Sequence, residues 1–170
     1  MAKSQCINYV VNDDYYGGKL AAQHLIKMGH TNVGFVTKNK IKSLKDRCRG
    51  SKDVLKSSEV ESDNVIDLTN LFNKEEIRIK KKKLIEKKGI TAIFAGTDII
   101  AIEILNYVTN NLKLKVPEDL SIIGYDNINI TSMVRVPLTT INQPKYSLGR
   151  LAVKQLLEII DQKDENIIRR

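Results

Sequence analysis

Short apolar runs alternate along this chain with longer stretches whose apolar residues recur at helical spacing, and that alternation constrains the fold more than any other feature. Val33-Gly-Phe-Val36, Ile90 to Ala95 and Leu120 to Tyr125 are nearly continuous apolar or small-residue runs. A strand covered on one face only would alternate polar and apolar residues, so these runs read as strands buried on both faces. Between them, Leu20, Ala21, His24, Leu25 and Met28 share one helical face, as do Ile99, Ile102, Leu105 and Val108. The spacing predicts helices over about 16–28, 43–57, 74–88, 98–110 and 146–161. Strands are expected at Ile7 to Val11, 33–36, 64–68, 90–95, 120–125 and 138–141. Gly29 sits where a helix C-cap belongs. Repeated strand–helix–strand units need right-handed crossovers, which place helices on both faces of a parallel sheet. The expected fold class is α/β, doubly wound.

In open parallel sheets, ligands bind beyond the carboxyl ends of the strands. Those ends carry Asn12 and Asp13, Lys38 and Asn39, Asp67 and Thr69, Thr97 and Asp98, and Asp126 and Asn127. A polar edge of this kind suits a hydroxyl-rich small molecule. The same residue types also end strands and cap helices.

Within that edge, Asp126 emerges where the run Ile122-Ile-Gly-Tyr125 stops. A carboxylate there accepts hydrogen bonds from adjacent ligand hydroxyls, or it closes the strand through an Asx turn. Arg47, in Ser43-Leu-Lys-Asp-Arg-Cys-Arg-Gly50, offers a rigid fork of donors; locally it also reads as a surface arginine. Arg49 is expected in solvent. Thr97 and Asp98 read first as caps of the helix that follows, with a ligand contact by Thr97 compatible with a cap by Asp98. Asp13 and Asp14 likewise read as caps of the first helix. His30 is expected to shape the turn after Gly29, and Cys48 to behave as a small buried hydrophobe.

The net charge of +8 concentrates in Lys74 to Lys88, which reads as a solvated helix face rather than a DNA patch. Aromatic residues make up only 5% of the chain, and no Lys/aromatic interleaving suggests base stacking. No helix-turn-helix segment is evident. The nucleophile elbow, phosphate loop, dinucleotide fingerprint and His-Glu-x-x-His signatures are all missing, which points to binding, not catalysis. Two cysteines without metal spacing and two histidines argue against zinc, and no cofactor is expected. No apolar run is long enough for a bilayer, and the start lacks a secretory layout, so a cytoplasmic location with reduced thiols is expected.

The ordered series Asp14-Tyr-Tyr-Gly-Gly-Lys-Leu-Ala-Ala-Gln-His-Leu-Ile26, Met28-Gly-His-Thr-Asn-Val-Gly-Phe-Val36 and Arg47-Cys-Arg-Gly50 resembles the LacI/GalR family of transcriptional regulators. Thr91-Ala-Ile-Phe-Ala95, Thr97-Asp98, Val116-Pro-Glu-Asp-Leu-Ser-Ile-Ile-Gly-Tyr-Asp-Asn127 and Pro137-Leu-Thr-Thr-Ile-Asn-Gln-Pro144 continue it. The resemblance implies a two-lobed, periplasmic-binding-protein-like domain that clamps a small effector, a sugar or alternatively a purine. It implies effector contacts by Arg47, Asp126, Thr97 and Asp98, with Thr97 standing where the family often has Asn. Ser51 departs from the aromatic usual after the Arg-x-x-Gly motif. Residues 1–140 are expected to form the second lobe. Residues 141–170 would be a crossover and a helix of the first lobe, whose remainder, like the DNA-binding head, lies outside this chain. Thr139 to Pro144 is expected to be that crossover. Expected partners are the effector, operator DNA through that head, a second copy in a homodimer, and a phosphoprotein co-regulator, with no membrane. The competing classes are a sugar receptor of a transport system and a small α/β enzyme.

Overall fold

Single polar side chains cap the starts of two helices in this chain, while a third starts after Ile41 with no side-chain cap. In the computed structural model, which describes residues 8–37, 41–67, 82–83, 85–86, 89–132 and 136–168, helix α1 spans Asp14–Lys27. Its N-cap is Asp13, whose carboxylate accepts from the Tyr16 N–H at 2.8 Å. The helix ends at Met28, and Gly29 follows with φ 88°, a value that favours glycine. His30 closes the turn, its N–H donating to Leu25 O and its ring meeting Thr91 Oγ1. Helix α2 is Lys42–Ser57, and α3 is Asp98–Asn110, capped by the Thr97 hydroxyl. Of the Lys-rich stretch expected as a helix, only Lys82, Lys83, Ile85 and Glu86 fall among the described residues.

Strands β1 (Asn32–Thr37), β2 (Glu61–Asp67), β3 (Ala92–Ala95), β4 (Ser121–Asp126) and β5 (Thr139–Asn142) form one sheet of order β2-β1-β3-β4-β5. Every pairing is parallel. β1 and β3 are buried along their whole length, as their unbroken apolar runs predict. Alternate side chains feed two cores. Val36, Ile93, Ala95 and Ile122 face Ile100, Ile104 and Val108 of α3. Val33, Phe35, Ala92, Phe94, Ile123 and Tyr125 face Ala21, Ala22 and Leu25 of α1, and Cys48 and Leu55 of α2. Phe35 and Phe94, register partners, meet edge to face at 4.9 Å.

Two expectations need correction. Residues 8–11 form no strand: Tyr9 is 77% and Val11 66% exposed, and without a neighbouring strand their backbone groups have no ladder to join. Thr139 to Asn142 is the strand expected at 138–141, hydrogen-bonded to β4, and so is not part of the crossover expected over Thr139 to Pro144. The chain resolves into two compact units. One, Asp13–Asn142, holds the whole sheet. The other joins the chain before Asp13 to the chain from Gln143 onward. There Asn12 Nδ2 donates to Gln143 Oε1 at 2.6 Å, and helix α4 (Lys145–Ile168) follows.

Candidate functional site

The strand order places a switch point between β1 and β3: the chain moves from β1 to β2 on one side, then crosses to β3 on the other. The carboxyl edge at such a point is where doubly wound sheets bind ligands. Arg47 sits there, 5% exposed, which rules out the surface-arginine reading.

Glycines allow this. A Cβ on Gly18 would lie 2.0 Å from the Arg47 carbonyl oxygen, and one on Gly50 would lie 2.0 Å from that of Tyr15. The helices α1 and α2 therefore approach backbone to backbone, and the guanidinium reaches inward over the sheet. Its Nε donates to Asp14 Oδ1 at 2.8 Å, and its Nη1 to Gly96 O at 2.7 Å and Asp126 Oδ1 at 3.1 Å. None of these bonds uses Nη2. The guanidinium carbon lies 3.6 Å from the centre of the Tyr125 ring, a cation–π contact in a nearly dry setting. Burial pushes the Tyr125 phenol up to about 12; Arg47 opposes the rise, and Asp14 and Asp126 reinforce it. The phenol fits under α1 only because residue 17 is glycine, where a Cβ would fall 2.0 Å from the hydroxyl.

Asp126 ends β4 with φ 115°, and Asn127 follows at 49°. Non-glycine residues rarely adopt such values, and the surroundings must hold them there. Asp98 does the holding. It is fully buried, and its carboxylate accepts from the Ile128 N–H at 2.9 Å and the Thr140 hydroxyl at 2.5 Å. A Cβ on Gly124 would fall 2.3 Å from Asp98 Oδ1, so that glycine makes room for the carboxylate.

The structure thus brings Arg47 and Asp126 together and separates the roles of Thr97 and Asp98. Thr97 is the cap, accepting from the Ile100 N–H at 3.3 Å. Asp98 is not: its oxygens point into the sheet unit and tie the chain after β4 to β5. Asp14 corrects a further expectation. Asp13 already caps α1, which leaves the second acid of the pair to partner Arg47. Arg49 is solvated as expected, paired with Asp46 at 3.2 Å. Lys38, Asn39 and Thr69 lie outside the described residues. Asp14, Gly96 and Tyr125 were not legible as site residues; the doubled acid at 13–14 is the one local hint. Among the described residues no cluster of His, Cys, Asp or Glu could hold a metal ion, and no helix is long and apolar enough to cross a membrane.

A family model described as a periplasmic binding protein-like domain matches residues 22–170. The transcriptional repressor PurR of Aliivibrio fischeri is 35% identical over 159 residues, covering 91% of this chain and 47% of the repressor. The transcriptional regulator DegA of Bacillus subtilis is 34% identical, over 84% of this chain and 42% of its own length. A LacI family transcriptional regulator from Enterococcus faecium, solved with bound ribose, superposes with a TM-score of 0.74 at 33% identity, covering 88% of this chain and 55% of that one. This chain belongs to the periplasmic-binding-protein-like family, in its LacI/GalR branch. One from Enterococcus faecalis, also with ribose, gives 0.74 at 34% identity, over 90% and 55%. The LacI/GalR-type chain spans about half the length of the curated relatives it matches.

Proposed function

We propose that this chain is the effector-sensing domain of a bacterial transcriptional repressor. It binds a sugar or sugar-like molecule at the carboxyl edge of its sheet and controls operator affinity through a DNA-binding head outside this chain. Buried Arg47 is the observation that carries the reading. A guanidinium oriented by two carboxylates and a carbonyl, with its ring contact fixing the plane, is a preorganised donor for hydroxyl oxygens. Asp126 supplies the complementary acceptor beside it, and Thr97 a further hydroxyl. Asp98 acts as a positioning residue for Asp126. A site built from buried hydrogen-bonding groups strongly rejects analogues lacking a hydroxyl. Ribose in both Enterococcus regulators supports a sugar.

In the intact regulator, a cytoplasmic homodimer, residues from Gln143 onward contribute to a first lobe, and effector binding changes how the lobes close. Such coupling requires that the effector bind the two arrangements unequally. A thermal-shift panel of pentoses, hexoses, sugar phosphates and purine bases tests the reading. A ligand at a hundred times its Kd stabilises by about 2.7 kcal/mol. One sugar is expected to raise the Tm, and Asp126→Ala to abolish that rise. A purine hit would change the effector class, and no shift with any compound would remove the sensor reading.

A further inference from the structure

Among the described residues, one buried side-chain group has no hydrogen-bond partner, the hydroxyl of Thr37. Thr37 is the last residue of β1 and is fully buried. An unbonded buried hydroxyl is destabilising, because its lost hydration is not replaced. Valine has the same shape, suits a strand equally well and already stands at Val33 and Val36. The strand itself therefore gives no reason for the hydroxyl.

Its position does. Thr37 ends β1 and Gly96 follows the end of β3, so the two flank the switch point. Gly96 N–H donates to Val36 O at 2.8 Å, and Gly96 O takes the Arg47 bond. A Cβ on Gly96 would lie 3.2 Å from Thr37 Oγ1 and 3.3 Å from Leu44 Cδ2. The unpaired hydroxyl thus lies against the residue that anchors the guanidinium.

We infer that Thr37 is a further ligand-recognition residue of this edge. Its hydroxyl is kept unpaired between the ends of β1 and β3 to bond a polyhydroxylated effector, directly or through one buried water. A threonine hydroxyl both donates and accepts, which matches a sugar hydroxyl that does the same. Because Thr37 is covered in the structure, its surroundings have to shift when that bond forms. The inference rests on the effector-sensing reading above.

Thr37→Val and Thr37→Ser in the whole chain test it, by thermal melting without ligand and by calorimetric titration with D-ribose, D-glucose and adenine. Thr37→Val is expected to raise the ligand-free Tm by a few degrees. It should also weaken, by about tenfold or more, whichever probe binds the unaltered chain, while Thr37→Ser keeps most of that affinity. A lower Tm in Thr37→Val would show that the hydroxyl serves the fold and overturn the inference. Unchanged affinity in that variant would overturn it too, leaving the sensor reading intact. If the unaltered chain binds none of the three probes, the sugar and purine readings fail first, and the role of Thr37 falls with them.

Discussion

Two helices of this chain carry apolar residues at the same spacing and meet opposite fates. On α3, Ile100, Ile104, Leu105 and Val108 are 0 to 4% exposed against the sheet. On α4, Leu151, Val153, Leu156, Leu157 and Ile160 stand 45 to 58% exposed. Helical periodicity marks a face that gains free energy when covered, but it carries no information about the cover. For α3 the cover comes from strands on either side of it in sequence. The crossover β3–α3–β4 is short, and the right-handed rule lays the helix on the sheet. For α4 no such strand follows among the described residues.

Substitutions can break or sharpen this contrast. The largest effect is expected for Ile104→Ala, which empties a fully buried site and should cost about 4 kcal/mol in urea unfolding. Arg47→Ala comes next, at about 3 kcal/mol, because it leaves the Asp14 and Asp126 carboxylates without their cation. The lower end of the usual range applies because the Asp126 side chain keeps 22% of its exposure.

A pH dependence probes the same cluster. Tyr125 holds its proton up to about 12 in the folded chain, against 10.0 for the free side chain. Between those values the unfolded chain binds fewer protons than the folded one. Stability from this group is therefore full below pH 10 and declines as pH rises towards 12. The loss is on the order of 2 to 3 kcal/mol. Melting curves of the unaltered chain and Tyr125→Phe across that interval should differ by this amount, the unaltered chain falling more steeply. Gly18→Ala is expected to cost about 2 kcal/mol by pushing α1 away from the Arg47 carbonyl. Circular-dichroism melts give the size, and an unchanged Tm would mean that the helices separate freely. The smallest effect falls on α4: Leu157→Ser should alter stability by less than about 0.5 kcal/mol. A loss comparable to that of Ile104→Ala would mean that α4 is covered in solution and that the contrast fails.

Much of the sheet was legible. The unbroken apolar runs marked β1, β3 and β4, and Asp13 and Gly29 marked the ends of α1 through cap chemistry. The run at 138–141 also marked the edge strand β5; the same reading failed at residues 8–11, where an apolar run has no strand to pair with, and in placing the crossover from Thr139 onward. At the site, Arg47 and Asp126 were visible as chemistry, while Asp98 was taken for a cap. A carboxylate beside a helix start looks the same in sequence whether it bonds its own helix or turns inward.

By itself the sequence determined local preferences: which of the described segments coil, the capped starts of α1 and α3, and that polar side chains crowd one edge of a parallel sheet. Those choices depend on dihedral freedom, burial and hydrogen bonds within a few residues. The tertiary structure decided the strand order, the pairing of Arg47 with Asp14 and Asp126, and the isolation of the Thr37 hydroxyl. Arg47 stands 33 residues from Asp14 and 79 from Asp126. Only the crossovers bring such groups within hydrogen-bonding distance, because a charge meets whichever partner the packed helices and strands carry to it.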